Sequence, residues 1–187
     1  MGFLDKLAKY LNKDKEVPVS VEKERKIETS AIFDKSLDFV LEVEGGYVND
    51  QYDPGGETKF GISQKAYPHL DIKNITLEDA KAIYYRDYWL NSGAQVADIS
   101  PELAFILFDA AVNMGTGTSV RLLQRALRVR EDGVIGPNTR KALETANLDD
   151  TLEWTVVNRL LRYSELETWP RYRRGWLKRT VSLLRRA

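Results

Sequence analysis

EGGYVNDQYDPGGETKFGIS, running from Glu44 to Ser63, joins an apolar helix on one side to a turn-rich ribbon on the other. Just upstream, apolar residues fall at Phe33, Leu37, Val40 and Leu41, and Ile32, Phe39 and Val43 widen the stripe. That spacing predicts an amphipathic helix, which Thr29 or Ser30 can cap. The next position on the stripe is Glu44. A carboxylate is therefore expected where a core residue belongs, at the last turn. Gly45 and Gly46 then end the helix, because glycine accepts the left-handed backbone at a helix C-terminus. Loss of solvation keeps a carboxylic acid protonated nearer neutral pH, which is the preparation a general acid needs.

Downstream, residues 47 to 62 read as a small β-hairpin. Asp53-Pro54-Gly55-Gly56 is turn chemistry, and Thr58, Phe60 and Ile62 alternate with Lys59, Gly61 and Ser63 as a short strand does. Thr76-Leu77-Glu78-Asp79 resembles a capping box, opening a helix to about Leu90. Leu77, Ala80, Ile83, Tyr84 and Tyr88 form its apolar face, and Tyr85 and Trp89 lie on another. Ser100-Pro101-Glu102 is a helix start. The following LAFILFDAAVNMG is apolar nearly all round, which predicts a buried central helix closed by Gly115 and Gly117. Its polar residues after Glu102 are Asp109 and Asn113, spaced to share a face. Further helices are predicted from about Ser119 to Arg128, from Pro137 to about Thr145, and over 150–168 with Leu152, Val156, Leu160, Tyr163 and Leu166 as its stripe. Pro170 is expected to break that helix, and a last one runs from Tyr172. The fold class is mainly α, with one small β element early.

At the other end of the chain, residues 3–11 place Phe3, Leu4, Leu7, Ala8 and Leu11 at helical spacing. They predict an amphipathic arm that docks on its own domain or on another chain. The charge-rich segment 12–28 reads as a linker. The 187 residues carry 28 basic and 28 acidic side chains, one histidine and no cysteine. Balanced charge gives no footing for nucleic acid. The lack of cysteine excludes disulfides and thiolate chemistry, and His69 alone, read as a surface residue, supports no metal centre. No apolar run has membrane-spanning length. The N-terminal residues Asp5, Lys6 and Lys9 do not fit a leader peptide, so synthesis in a cytoplasm is expected. From Thr151 onward nine Lys/Arg face three acids. That basic C-terminal surface could meet an anionic envelope.

The chemistry centres on Glu44, Asp53 and Thr58. Glycosidic cleavage protonates the leaving oxygen while a second carboxylate stabilises the oxocarbenium-like centre or activates water. Glu44 is the acid candidate, Asp53 the second carboxylate, and Thr58 a group to hold water. Asp50 and Glu57 compete with Asp53, and spacing does not choose among them.

The stretch resembles glycoside hydrolase family 108, the lysozyme-like N-acetylmuramidases, across Glu44 to Asp50 and Asp53 to Ser63. The resemblance implies that Glu44 is the catalytic acid. The wider phage-lysozyme pattern is also similar, although four residues separate Asp53 from Thr58 where that pattern has five. Tyr84 to Trp89, Phe108 to Gly115 and Arg174 to Arg179 are similar to the family's second, peptidoglycan-domain half. Leu122 to Leu127 and Asp132 to Thr139 look like small peptidoglycan-binding repeats, here read as part of the helical lobe.

The implied fold is lysozyme-like α+β, with a catalytic domain over 29–187 in two halves, 29–98 and 99–187. The expected substrate is the glycan of peptidoglycan, with no cofactor. The β-1,4 bond between N-acetylmuramic acid and N-acetylglucosamine would be hydrolysed, as an endolysin does, with access to the wall through a holin or secretion system. Tyr47, Tyr85 and Trp89 are candidates to stack on sugar rings. Asn113 is a candidate to bond an N-acetyl group, and Asp109 to tie an arginine such as Arg86 or Arg179. The alternatives are a lytic transglycosylase, which needs one acid, and a non-catalytic wall-binding part of a phage tail or secretion apparatus.

Overall fold

The computed structural model describes residues 31–44 and 57–187. The chain divides into two compact units, one ending at Tyr85 and one beginning at Arg86. The N-terminal arm and linker, the caps Thr29 and Ser30, and the Gly45-Gly46 and 53–56 turns lie outside the described residues.

In the first unit, helix α1 (Ala31–Glu44) buries Phe33, Leu37, Phe39 and Val40 of the predicted stripe, with Ile32 and Leu41 half-buried, and buries Ser36 beside them. Ser36 satisfies its hydroxyl inside the helix by donating to the Ile32 carbonyl at 2.6 Å. Val43, predicted to widen the stripe, is half exposed.

Strands β1 (Thr58–Lys59) and β2 (Ile62–Ser63) pair antiparallel, Thr58 opposite Ser63 and Lys59 opposite Ile62. The single strand read from alternation is therefore a two-residue hairpin. Phe60 (φ 53°) and Gly61 (φ 74°) both sit in the left-handed region, as a type I′ turn requires. Phe-Gly is not the usual Asn-Gly signal, which is why the turn is hidden in the sequence.

Helix α2 (Leu77–Ile83) opens with the expected capping box. Thr76 Oγ1 accepts from the Asp79 amide, and the Asp79 carboxylate accepts from the Thr76 amide. The helix does not run on to Leu90. A π-turn at Tyr84–Tyr88 and a 3-10 turn at Trp89–Asn91 follow. An i→i+5 turn inserts one residue, turning all that follows by about 100° round the axis. Trp89 is thereby buried where Tyr88 was expected; Leu77, before the insertion at the first position of α2, is exposed.

The second unit is built on α3 (Pro101–Met114), capped by Ser100, whose hydroxyl accepts from the Leu103 amide at 3.2 Å. Every residue from Leu103 to Ala111 is buried, as the apolar run predicted. Gly115, at φ 91°, ends the helix. Helix α4 (Thr116–Ala126) starts at once, so Gly117 lies in its first turn instead of closing α3. Helices α5 (Pro137–Thr145), α6 (Leu148–Ser164) and α7 (Trp169–Leu184) complete the unit. Pro170 sits in the first turn of α7, where its missing N–H costs nothing, and so starts a helix where a break was expected. Helix α4 packs on α3 and α6, and α6 packs on α7. Val96, Leu103, Leu107, Leu123 and Leu143 form an apolar core cluster.

A buried charge cluster joins three of these helices. Asp109 of α3 accepts from Arg159 Nη2 of α6 at 2.5 Å, and from Arg179 of α7, Nε at 3.0 Å and Nη2 at 2.7 Å. Arg159 is fully buried and Asp109 nearly so. Removing the one carboxylate leaves two guanidinium groups uncompensated. Asp109→Ala is expected to lower unfolding free energy by about 3–5 kcal/mol, read from urea unfolding of the full chain. A loss under about 1 kcal/mol would place the cluster in the class of screened surface pairs.

Candidate functional site

Two pieces of the Glu44–Ser63 motif are described, and both are held by the same helix. Glu44 is the last residue of α1. Helix α1 is tied to α2 by the Asp34–Lys81 ion pair and by Phe33, whose ring meets Tyr85 edge-on at 5.1 Å. Thr58 stands half-buried on β1. The hairpin is tied to the end of the same helical segment by the Tyr84 hydroxyl, which donates to the Phe60 carbonyl at 2.9 Å. Lys59 Nζ donates to the carbonyls of Lys73 and Ile75, both at 2.9 Å, fixing β1 to the turn before α2. Gln64 ties down the chain after β2, its amide donating to the carbonyls of Tyr67, Pro68 and Leu70 at 3.3, 3.1 and 3.0 Å. One helix thus sets the position of the backbone that carries Glu44 and of the backbone that carries Thr58.

Tyr47, Asp50 and Asp53 lie outside the described residues. Glu57, the third contender for second carboxylate, is half-buried, and its backbone carbonyl accepts from the Gln64 backbone N–H at 2.8 Å. Tyr85 is half-buried, with an edge on Phe33. Trp89 does not offer a ring face to a sugar. It is 6% exposed and meets Phe108 at 5.5 Å, a packing role that its π-turn explains. His69 is exposed, with its ring edge near Tyr67.

In the second unit, Asn113 Oδ1 accepts from the Tyr163 hydroxyl at 2.6 Å. That hydroxyl in turn accepts from Arg159 at 3.1 and 3.0 Å. Asn113 is thus the outer end of the chain that begins at Asp109. Of the two partners expected for Asp109, Arg179 is present, whereas Arg86 pairs with its neighbour Asp87 at 2.5 Å. Tyr163 belongs to the predicted apolar stripe and is buried, whereas Arg159 escapes a reading by apolar spacing, because an arginine on a helix's inner face breaks the pattern. The signal that finds Arg159 is its spacing: it lies seven residues after Leu152 and four before Tyr163.

The loop between α4 and α5 is ordered by Gln124, which is fully buried. Its amide donates to Asp132 Oδ1 at 2.7 Å, to the Val134 carbonyl at 3.0 Å and to Thr139 Oγ1 at 3.1 Å, and accepts from the Gly133 amide at 2.8 Å. That donation is the main reason the Asp132 carboxyl lies below the usual carboxylate range. Beside it, Arg125 bonds Glu131 through Nε at 3.0 Å and Nη2 at 2.9 Å. The pairing lowers the Glu131 carboxyl and raises the Arg125 guanidinium.

Residues 37–115 match the family model described as Glycosyl hydrolase 108, and residues 118–181 match the one described as Predicted Peptidoglycan domain. Among the solved structures that match is SagA from Brucella abortus, with a TM-score of 0.72 and 29% sequence identity, covering 82% of this chain and 92% of that one. No curated protein matches the chain. The mainly helical, lysozyme-like fold with a small antiparallel hairpin is the one expected from the sequence, as is the resemblance to glycoside hydrolase family 108. Together these matches support a glycoside hydrolase with a lysozyme-like, peptidoglycan-hydrolysing function.

The tie between Tyr84 and the hairpin is open to a direct check. Tyr84→Phe removes the donor to a turn carbonyl, at a cost of about 1–2 kcal/mol. Hydrogen exchange at the Lys59 and Ile62 amides should quicken, with the α3 amides unchanged. Unchanged exchange at the hairpin would show that Tyr84 does not hold it.

Proposed function

Taking the chain as a glycoside hydrolase of the family 108 type, we propose that it is an N-acetylmuramidase. It cleaves the β-1,4 bond between N-acetylmuramic acid and N-acetylglucosamine in peptidoglycan. The observation that carries this reading is that the family match spans Glu44, the acid at the end of α1 that the Glu-Gly-Gly-Tyr motif singles out.

Glu44 protonates the glycosidic oxygen as the bond breaks. Asp53 stabilises the positive charge that develops at the anomeric carbon or, with Thr58, orients the attacking water. If the two carboxyl groups stand about 5 Å apart the configuration is retained, and at about 6.5–9.5 Å it is inverted. Tyr47 and Tyr85 supply apolar ring surface for the sugar. The common attachment of α1 and the hairpin to α2 supports this reading. Acid–base work demands a fixed geometry, and displacement by about 1 Å can cost a hundredfold.

The expected outcome of Glu44→Gln is a loss of about 10²–10⁴-fold in the rate at which purified peptidoglycan clears, with unfolding unchanged. Mass spectrometry of the wild-type digest should show reducing muramic acid ends. Equal clearing by wild type and variant removes Glu44 as the acid. Products with 1,6-anhydro ends would make the enzyme a transglycosylase, for which Asp53 is dispensable.

A further inference from the structure

A cleft of about 570 Å³ opens in the second unit, between the C-terminal ends of α4 and α5 and one face of α6. Three of its lining residues carry a recognisable chemistry. Trp154 is 52% exposed, an unusual placement for the largest apolar side chain. Asp150 stands one turn earlier on the same face of α6. Arg128 faces them from the segment after α4.

Arg128 holds φ at 55°. This is the position just past a helix end where glycine is favoured, because a side chain there meets its own backbone. A strained, non-glycine residue in a cleft is grounds for a functional hypothesis. Among the described residues no ion-pair partner is present for Arg128. Its neighbour Arg125 is already engaged by Glu131.

The geometry points to a second wall-binding subsite in this cleft, distinct from the Glu44 motif and resting on the peptidoglycan-directed reading above. Trp154 stacks on the apolar face of an N-acetylated amino sugar, the mode by which aromatic rings take a flat C–H surface. Asp150 accepts from the sugar's hydroxyl groups. Arg128 takes a carboxylate of the attached stem peptide, matching the planar anion with its fork of donors. The occupant is thus a glycan strand that still bears its peptide. Charge complementarity at Arg128 and hydroxyl acceptance at Asp150 argue against a purely apolar partner. Such a site anchors the enzyme on the wall between cleavage events.

The test uses the full chain carrying Glu44→Gln, sedimented with insoluble peptidoglycan sacculi and, separately, with glycan strands stripped of stem peptides. Trp154→Ala on that background should weaken sedimentation with both probes about five- to tenfold. Arg128→Gly should weaken it with intact sacculi only, while raising the melting temperature, because glycine relieves the left-handed backbone. That pairing of higher stability with weaker binding separates ligand recognition from a structural role. Sedimentation unchanged in either variant, or none by the parent, overturns the subsite. Clearing of the wall by Glu44→Gln overturns the catalytic reading alone, and is scored separately by turbidity.

Discussion

Asp109 is the point on which the second unit turns. One carboxylate on α3 holds two guanidinium groups, from α6 and α7, in surroundings with almost no solvent. Each charge costs several kcal/mol to desolvate, and the attraction repays this only when the geometry is good and the remaining polar atoms find partners. Here most do. Arg159 reaches Tyr163 as well as Asp109, and the Tyr163 hydroxyl donates to Asn113 Oδ1. Arg159 Nη1 has no partner among the described residues. Apolar contacts alone tolerate sliding between helices, whereas bonds from two helices to the same carboxylate accept little else. The Tyr163 ring, stacked on Trp176 of α7 at 4.6 Å, adds an aromatic lock to the same junction.

The first unit meets the corresponding demand with lighter means. Its hairpin has four paired residues, too few to be stable alone. It is ordered by what touches it: Lys59 on two carbonyls, Tyr84 on the turn, Gln64 on the following loop. These are side-chain bonds to backbone, so they fix the path of the chain and leave the side chains of the motif for other work. For a segment proposed to hold Thr58 near a reacting bond, that division suits the task.

Much of this arrangement was legible in the residues, where local chemistry has one strong solution. The Thr76–Asp79 capping box, Ser100 before Pro101, and the buried run from Leu103 to Ala111 each carry a signal confined to a few positions. Failures came where a local signal allowed two outcomes. Pro170 can break a helix or begin one. Phe60-Gly61 satisfies strand alternation and a type I′ turn alike, and only the positive φ values decide. The π-turn at Tyr84–Tyr88 has no mark in the sequence, since any residue can carry an i→i+5 bond. It moved Trp89 from a candidate sugar platform to the core. For the motif proposed as catalytic, the sequence reading singles out Glu44 as the acid candidate, the structure shows the helix that ends on it, and the family-model match over residues 37–115 spans both.

Helix α6 buries more than its apolar stripe. Beside Val156 and Tyr163 of that stripe, its buried face carries Thr151, Thr155, Asn158 and Arg159, while Trp154, Val157 and Leu161 are exposed. The inner polar groups are satisfied one by one. Thr151 donates to the Asn147 carbonyl and Thr155 to that of Thr151, each at 2.7 Å, and Asn158 donates to the Leu122 carbonyl at 3.2 Å. Arg159 completes the row at Asp109. The threonines close bonds within their own helix and so present only methyl groups to the core. The two residues that cannot do so reach α4 and α3. Turning the helix to bury Trp154 would gain about 2–3 kcal/mol of apolar burial, but would strip Asp109 of a guanidinium partner, a loss of about 3–5 kcal/mol. The charge pair therefore decides the rotation of α6, and that rotation is what leaves the indole at the edge of the cleft.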